Sequence, residues 1–336
     1  MYLEQEIPGK GVGCLASCSI PRGTLILRER PALLLDPEQR GEYLERAVAT
    51  FQRMGREEQE QYLELANKYD EEETGWSRYS RDFMEVRNAD MKRLQLKDIT
   101  QETATKVWQI LETNSFHNGV CLRMSRFNHS CRANAEYFWN HDTGTRDVRA
   151  VRKIARKEEI CLNYRKLGTL TREERRGYLR DYHHFHCCCP ACDLPAPEER
   201  QQAEQCQRYR MLEEERRQAE ERQTETDFSL TTNRTEIDCL KEMYRLAREL
   251  KIFRVSTIIK NIVEEGFQAS CQGFYNTRFT KHQTKERQQL LKDAESFAEA
   301  GRKLSMTVFG EEHSVTLRWG RRRKQPMVCF QEEIGC

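Results

Sequence analysis

Three short segments decide how this chain folds: Asn128-His129-Ser130-Cys131, Ile160-Cys161-Leu162-Asn163-Tyr164 and Cys187-Cys188-Cys189-Pro190-Ala191-Cys192. The third segment has the spacing of a metal site, and the first two suit the floor of a small-molecule pocket. We therefore predict that the three segments meet in the folded chain.

The thiol-rich segment is the strongest signal. Its C-x-C-x-x-C spacing, which lets three sulfur atoms converge on one ion, is formed by Cys187, Cys189 and Cys192. Structural zinc takes four ligands in a tetrahedron and favours thiolates. Cys131 is the first candidate for the fourth ligand, with His186 as an alternative, and Cys188 should point away. The other interpretation is a group of reduced thiols without a metal, but such dense clustering favours zinc.

Composition limits the class of protein. The 336 residues are 38% hydrophobic and 33% charged, which suits a soluble, helix-rich chain of two or three domains. The net charge of +2 gives no strong attraction to nucleic acid or anionic lipid, so neither a nucleic acid nor a membrane is expected as a partner. The Met1–Glu6 segment lacks signal-peptide character, so we expect a cytoplasmic or nuclear protein. Its 14 cysteines should then be buried thiols and metal ligands rather than disulfides.

The expected fold class is α+β. Strands are predicted at Cys14–Ala16, Leu25–Glu29, Ala135–Trp139 and Asp147–Val151, with a further strand ending at Tyr164. Helical periodicity dominates residues 36–106, residues 171–184 and the region after Ile237. Residues 198–225 are nearly all Glu, Arg and Gln, which predicts a solvated helix with i,i+4 charge pairs.

Near the N-terminus, Gly9-Lys10-Gly11-Val12-Gly13 places three glycines in five residues. Such a run forms either a simple hairpin turn or a loop that lets a ligand approach the backbone closely. Asn128-His129 alone is typical of a turn, and Tyr164 alone is typical of a buried core residue.

Taken together, these motifs resemble the SET-domain lysine methyltransferases, and more closely their SET- and MYND-domain (SMYD) branch. The matching motifs keep the family's order over about residues 8–192: Gly9-Lys10-Gly11-Val12, Asn114-Ser115-Phe116, Asn128-His129-Ser130-Cys131-x-x-Asn134, Glu158-Glu159-Ile160-x-x-Asn163-Tyr164 and Phe185-x-Cys187-x-Cys189-x-x-Cys192. The helical C-terminal part also resembles that branch.

The resemblance implies small β-sheets with a pseudoknot threaded from the Asn128 and Tyr164 segments, a post-SET zinc site and an all-α, TPR-like C-terminal domain. The residue patterns add a helical insertion and a charged helix. The predicted boundaries are 1–35 and 107–166 for the SET domain, 36–106 for the insertion, 167–195 for the zinc segment, 196–236 for a charged helix or linker, and 237–336 for the C-terminal domain.

The resemblance also implies site residues. S-adenosylmethionine would be bound by Gly9, Lys10, Gly11, Asn114, Asn128, His129, Tyr164 and Phe185. Tyr164 would be the catalytic tyrosine, and Zn²⁺ would be held by Cys131, Cys187, Cys189 and Cys192. The substrate would be a lysine side chain of a histone or another protein, and the C-terminal domain would bind protein partners.

Three departures from the SMYD pattern are visible. The cysteine-rich MYND finger is missing, and the cysteine-free residues 36–106 take its place. The second active-site tyrosine of the branch is replaced by His183, so either Tyr182 takes its role or the lysine channel is altered. The spacing from Asn114 to Asn128 is short. The leading hypothesis is a protein-lysine N-methyltransferase, and the alternative is a catalytically weak SET scaffold that acts through its C-terminal helices.

Overall fold

The computed structural model describes residues 1–35, 43–70, 98–116, 119–165, 167–222, 230–252, 254–277 and 284–334. The described residues combine three small antiparallel sheets in the first half with helices throughout the second. No helix in these ranges is long and apolar enough to cross a bilayer.

The first sheet is a hairpin of β1 (Tyr2–Ile7) and β2 (Gly11–Ala16). The second has the order β3-β7-β6, with β3 at Leu25–Glu29, β6 at Ala135–Asn140 and β7 at Thr145–Ala150. The third pairs β4 (Leu33–Leu34) with β5 (Gly119–Val120). The predicted strands at 14–16, 25–29, 135–139 and 147–151 therefore fall in regular sheets, although β2 and β7 begin three and two residues earlier than predicted.

The strand predicted to end at Tyr164 is wrong. Residues 160–164 form no regular strand and are held by single bridges, Leu15 to Glu159 and His129 to Leu162 in parallel. The Leu162 backbone N–H donates to the Asn128 carbonyl, and the Ser130 N–H donates to the Leu162 carbonyl. These bonds satisfy the buried backbone of both segments and bring them side by side. The pseudoknot that would thread them stays a prediction.

The segment after β4 is helical where it is described, and residues 71–97 of the predicted insertion lie outside the described ranges. Helix α1 (Tyr43–Gln52) buries Leu44, Ala47, Val48 and Phe51, an i, i+3, i+4, i+7 stripe. It packs with α2 (Arg56–Leu63) and α3 (Gln101–Asn114) into one apolar cluster. Thr100 caps α3 by accepting a hydrogen bond from the Thr103 N–H at 3.1 Å. Helix α3 continues through the predicted boundary at 106 and delivers Asn114 to the site.

Helix α4 (Arg172–His183) begins with a capping box in which Thr171 and Glu174 bond each other's backbone N–H groups. It ends where His184 takes a left-handed conformation with φ of 57°. The following chain turns sharply there, which places the thiol-rich segment against the side of α4.

Helix α5 (Ala196–Arg222) is solvated on one face only. Arg217 pairs with Glu221 on the exposed face, whereas Cys206, Tyr209 and Leu212 are buried. Helix α6 (Leu230–Leu250) packs on that apolar face. The predicted helix and its i,i+4 charge pairs are present, but the helix is not solvated all round, because three apolar residues spaced three apart form a narrow packing stripe.

The remaining helices are α7 (Val255–Ile258), α8 (Glu264–Asn276), α9 (Thr284–Val308), α10 (Ser314–Lys324) and α11 (Pro326–Glu333), with a π-helical turn at Ile259–Val263. They share one apolar cluster with α5 and α6. A Cβ at Gly301 would lie 2.4 Å from the Trp319 ring, so only glycine allows α9 and α10 to approach this closely.

The C-terminal helices pack against β6. Phe138 and Phe309 lie with their ring centroids 4.8 Å apart. Glu136 accepts hydrogen bonds from the backbone N–H groups of Val255 and Ser256 at 2.7 and 3.0 Å. Arg254 donates to the Tyr137 carbonyl at 2.8 Å. These hydrogen bonds connect the C-terminal half of the chain to the edge of the β3-β7-β6 sheet.

Candidate functional site

The structure brings together four buried thiols. The Sγ atoms of Cys131, Cys187, Cys189 and Cys192 all lie within 4.8 Å of one another. Cys188 and His186 are exposed, so among the described residues Cys131 completes the group of four and His186 does not. The chain reversal after α4 and the parallel bridge at His129 produce this convergence.

The thiol cluster fits a zinc ion. Zinc–sulfur bonds of about 2.3 Å in a tetrahedron imply sulfur–sulfur distances of about 3.8 Å. Cys131 Sγ and Cys192 Sγ are 3.7 Å apart. Four buried thiols without an ion would lack strong partners, whereas four thiolates around Zn²⁺ would be fully satisfied.

Two arginines of α4 hold the thiol-rich loop. Arg175 is fully buried and donates to the Ala191 carbonyl and to Gln202 Oε1, both at 2.8 Å, and its Nη2 lies 3.9 Å from Cys192 Sγ. Arg176 donates to the carbonyls of Cys187 and Cys192 at 3.1 and 2.8 Å. The buried positive charge of Arg175 offsets the net negative charge of a four-thiolate zinc site.

His129 joins the thiol cluster to the second feature of the site. Its Nδ1 accepts a hydrogen bond from the Tyr164 backbone N–H at 3.2 Å, and its Nε2 lies 3.4 Å from Cys131 Sγ. Burial lowers the pKa of His129 to about 4, so the ring is neutral. A neutral ring that accepts at Nδ1 carries its proton on Nε2, which then donates toward the sulfur.

The second feature is a cavity of about 290 Å³ beside Tyr164. Its walls come from six separate parts of the chain, and its lining residues are Glu112, Thr113, Asn114, Ser115, Phe116, Ser125, Tyr137, Tyr164, Arg165, His183 and Arg254. Aromatic rings form one continuous wall: Phe116 lies 4.8 Å from Tyr137 and 6.1 Å from Tyr164, and Tyr164 lies 5.6 Å from His183. Such a wall excludes water from a narrow side chain.

Tyr164 is fixed within this cavity, as its predicted role requires. Its phenol donates a hydrogen bond to the Phe127 carbonyl at 2.9 Å. Burial raises the pKa of Tyr164 above its ordinary value, so the hydroxyl stays protonated. The hydroxyl oxygen keeps its acceptor capacity for a group that enters the cavity.

The structure separates the two candidates for a second active-site side chain. Tyr182 is 36% exposed, and its ring stacks on Tyr178 at 4.5 Å. It does not line the cavity, whereas His183 does. The local shift that would bring Tyr182 into the site is therefore not seen, because the last turn of α4 directs His183 inward.

Other predicted cofactor residues lie around the hairpin turn. Gly9 and Gly11 have φ angles of 72° and 67°, and no atom lies within 4 Å of a Cβ placed there, so their backbone is open to a ligand. Lys10 Nζ is 2.6 Å from Glu159 Oε2. Asn128 Nδ2 donates to Glu159 Oε1 at 3.0 Å. The hairpin and the Asn128 segment are thus tied together through one carboxylate.

The two remaining predicted cofactor residues are Phe185 and Asn114. The Phe185 ring is 5.8 Å from His129 and 6.5 Å from Tyr164. The Asn114 amide donates to the carbonyls of Ala66 and Ile110, so its side chain holds the end of α3 while the residue lines the cavity.

Three contributors have no role in the sequence predictions. Gly13 allows close approach, since a Cβ there would lie 2.6 Å from Asn128 Nδ2. Glu159 bridges Lys10 and Asn128, and its place within the Glu158-Glu159-Ile160-x-x-Asn163-Tyr164 motif was the signal available. Arg254 lines the cavity from the C-terminal half, and no sequence pattern marks it.

Comparison with known proteins agrees with this geometry. Residues 11–165 match the family model described as "SET domain". The histone-lysine N-methyltransferase set5 of Schizosaccharomyces pombe (strain 972 / ATCC 24843) is 28% identical over 194 residues, which cover 58% of this chain and 51% of that protein. The chain thus spans about half the length of that curated relative. The matched residues include β2, Cys131 and most of the cavity wall, and Cys187, Cys189, Cys192, His183 and Arg254 lie beyond them. The chain contains a SET domain.

Proposed function

We propose that this chain is a protein-lysine N-methyltransferase that uses S-adenosylmethionine. The observation that carries the proposal is the fixed phenol of Tyr164 in an aromatic-walled cavity, formed by segments of a SET domain. The name of the yeast relative, a histone-lysine N-methyltransferase, supports lysine as the accepting group. The substrate is a lysine of a histone or of another protein.

The residues present suit the cofactor. The open backbone at Gly9 and Gly11, the Lys10–Glu159 ion pair and the Asn128 amide offer partners for a zwitterionic amino-acid end. Phe185 and His129 offer ring faces for an aromatic base. S-adenosylmethionine supplies a methyl group on a sulfonium, which passes to the amine as the carbon–sulfur bond breaks.

The chain's own contribution is positioning. The aromatic wall of Phe116, Tyr137 and Tyr164 removes water from the lysine side chain and disfavours its ammonium form, so the amine enters neutral. The Tyr164 hydroxyl oxygen accepts an N–H of that amine and orients its lone pair for in-line attack. Zinc held by the thiol cluster would fix the wall formed by residues 183–192 and take no part in the chemistry.

Tyr164→Phe tests this function. The variant removes the hydroxyl and keeps the ring, so methyl transfer from tritiated S-adenosylmethionine to core histones and a lysine-peptide array should fall by about 100-fold or more. The dissociation constant for S-adenosylmethionine, measured by calorimetry, should change by less than about threefold, because the hydroxyl acts on the amine. Tyr244→Phe, on the partly buried flank of the C-terminal cluster, is the matched control. Full activity of Tyr164→Phe would reject the proposed methyltransferase function. If the native chain bound S-adenosylmethionine without turnover, the result would favour the alternative hypothesis of a catalytically weak SET scaffold.

A further inference from the structure

His183 is a polar residue of the cavity wall, and one of its ring nitrogens is unpaired in the described part of the chain. It ends α4, lines the cavity, and its Nε2 is buried without a hydrogen-bond partner among the described residues. An unpaired buried polar atom costs about 1–3 kcal/mol in general. Such an atom in a cavity wall indicates a partner that arrives with a ligand.

The position of His183 is fixed by its neighbours. The next residue, His184, has a φ of 57°, and its Nδ1 lies 2.9 Å from the Lys68 carbonyl. The His183 ring lies 5.6 Å from the Tyr164 ring and 6.3 Å from the Phe185 ring. The imidazole is therefore held at the contact between the cavity wall and the segment that enters the thiol cluster.

The surroundings keep this imidazole neutral. Burial, followed by the positive charges of Lys68 and Arg165 and the neighbouring His129 and His184, lowers the pKa of His183 to about 3. A neutral imidazole always has one nitrogen that accepts a hydrogen bond. His183 can therefore accept from an N–H without competing as a cation.

We propose that His183 is a second catalytic residue, whose neutral imidazole accepts a hydrogen bond from the target lysine amine beside Tyr164. This proposal rests on the proposed methyltransferase function and specifies how its site holds the amine. A primary amine has two N–H bonds to satisfy once it has left water. The Tyr164 oxygen accepts one, and the adjacent imidazole accepts the other.

The hydrogen bond positions the amine and takes no proton from it. The nitrogen lone pair forms the new bond to the methyl carbon, while the electron pair of the breaking carbon–sulfur bond stays on sulfur. The methylated nitrogen then carries the positive charge and leaves the cavity as a methylammonium, so the one proton released is the proton that the lysine gives to water before it enters. The two acceptors leave the lone pair free to point along the line of attack.

Ser125 is the competing candidate for the second acceptor. Its hydroxyl is also buried without a partner among the described residues, and it lines the same cavity. His183 is favoured because its ring contacts the Tyr164 ring directly. The experiment therefore compares both positions.

His183→Phe keeps an aromatic ring and removes the acceptor, His183→Asn restores an acceptor, and Ser125→Ala removes the competing hydroxyl. With the full chain, tritiated S-adenosylmethionine and core histones, His183→Phe should lower kcat by about 10- to 100-fold. The KM for S-adenosylmethionine and the melting temperature should stay near their native values. His183→Asn should recover part of kcat, and Ser125→Ala should lower kcat less than His183→Phe does.

The outcomes separate this inference from the proposed function. If the native chain turns over and His183→Phe matches it, or if Ser125→Ala carries the loss instead, the role of His183 is overturned while the methyltransferase assignment stands. If His183→Phe fails to fold, His183→Asn is compared with His183→Leu instead, because the variant that keeps an acceptor at this position should turn over faster than the variant that lacks one. A folded native chain that binds S-adenosylmethionine but methylates neither histones nor a lysine-peptide array removes the proposed function itself.

Discussion

The thiol cluster and the Tyr164 cavity lie side by side, joined by His129, yet they are encoded in opposite ways. Three of the four sulfurs come from six consecutive residues, Cys187 to Cys192. The cavity draws its walls from α3, Ser125, β6, Tyr164, the end of α4 and Arg254. The cluster is thus a local feature completed by one distant residue, whereas the cavity exists only after both halves of the chain have packed.

The two regions also differ in what their polar groups contact. Around the thiols, Arg175 and Arg176 donate to four backbone carbonyls and to Gln202 Oε1, although Arg175 Nε and Gln202 Nε2 have no partner among the described residues. In the cavity, His183 Nε2 and the Ser125 hydroxyl have no partner among the described residues. The arginine bonds hold the thiol-rich loop in place, whereas unpaired groups in a cavity wall are available to a ligand. The thiol cluster should therefore govern stability, and the cavity should govern turnover.

Cys189→Ser tests the stability side and should give the largest effect. Losing one of four thiolates should remove the zinc, and with it a large part of the roughly 10–16 kcal/mol that structural zinc supplies to a folding segment. The melting temperature should fall strongly, and the zinc content by elemental analysis should drop from one ion per chain toward zero. A chelator should produce the same fall in the native chain.

Cys188→Ser is the matched control for that variant. Cys188 lies between two ligands in sequence but is exposed, so it should leave both zinc content and melting temperature unchanged. Equal behaviour of the two variants would mean that the four converging sulfurs hold no ion. The cluster would then be a group of buried reduced thiols.

Arg254→Met tests the cavity side and should give an intermediate effect. Arg254 donates to the Tyr137 carbonyl, lies over the Tyr137 ring at 4.3 Å and pairs with Glu136 at 3.5 Å. Its loss should reduce the free energy of unfolding by about 1.5–3 kcal/mol, typical of hydrogen bonds to a charged group. Methyl transfer should fall by about 10-fold or more because the Tyr137 wall is displaced.

The readouts of Arg254→Met are urea unfolding and kcat measured on the same preparation. Arg248→Met removes an exposed arginine whose guanidinium lies over Tyr244, away from the cavity, and serves as the control. If zinc content fell together with kcat in Arg254→Met, the thiol cluster and the cavity would behave as one unit. Our distinction between the two regions would then fail.

Features that depend on residues close together in the sequence were predicted better than features that depend on tertiary packing. The thiol spacing, the helix predicted at residues 171–184 and the two strands of the β6–β7 hairpin depend on nearby residues, and all of them appear where their patterns indicate. The strand predicted at residues 160–164 is absent because this part of the chain pairs in turn with two different segments. Glu159 forms a single bridge with Leu15, and Leu162 forms a single bridge with His129. Arg254 could not be found, since an arginine at a helix start is ordinary until tertiary packing places it over Tyr137.

Glu158→Gln should give the smallest effect and tests the turn that leads into the segment shared by both regions. Glu158 accepts hydrogen bonds from Arg152 at 2.6 Å, the Ala155 N–H at 2.8 Å and Asn134 at 3.1 Å. Partial burial opposes ionisation, but these bonds outweigh it and lower the pKa of Glu158 below its ordinary value of 4.5. A lowered carboxyl pKa stabilises the fold at pH values above 4.5 and loses that contribution as the pH falls through the folded-state pKa.

Glu158→Gln should therefore reduce the free energy of unfolding by about 1 kcal/mol or less near neutral pH, as befits a partly exposed group. The difference from the native chain should shrink as the pH is lowered toward about 4, because the native carboxylate then starts to protonate. Urea unfolding at several pH values measures this, with Arg152→Met as the partner variant. A gap that stays constant with pH would mean that the hydrogen-bonding geometry of the side chain at position 158 matters here and that its charge does not. The turn belongs to neither the thiol cluster nor the cavity wall. Zinc content and kcat of Glu158→Gln should therefore both remain near native.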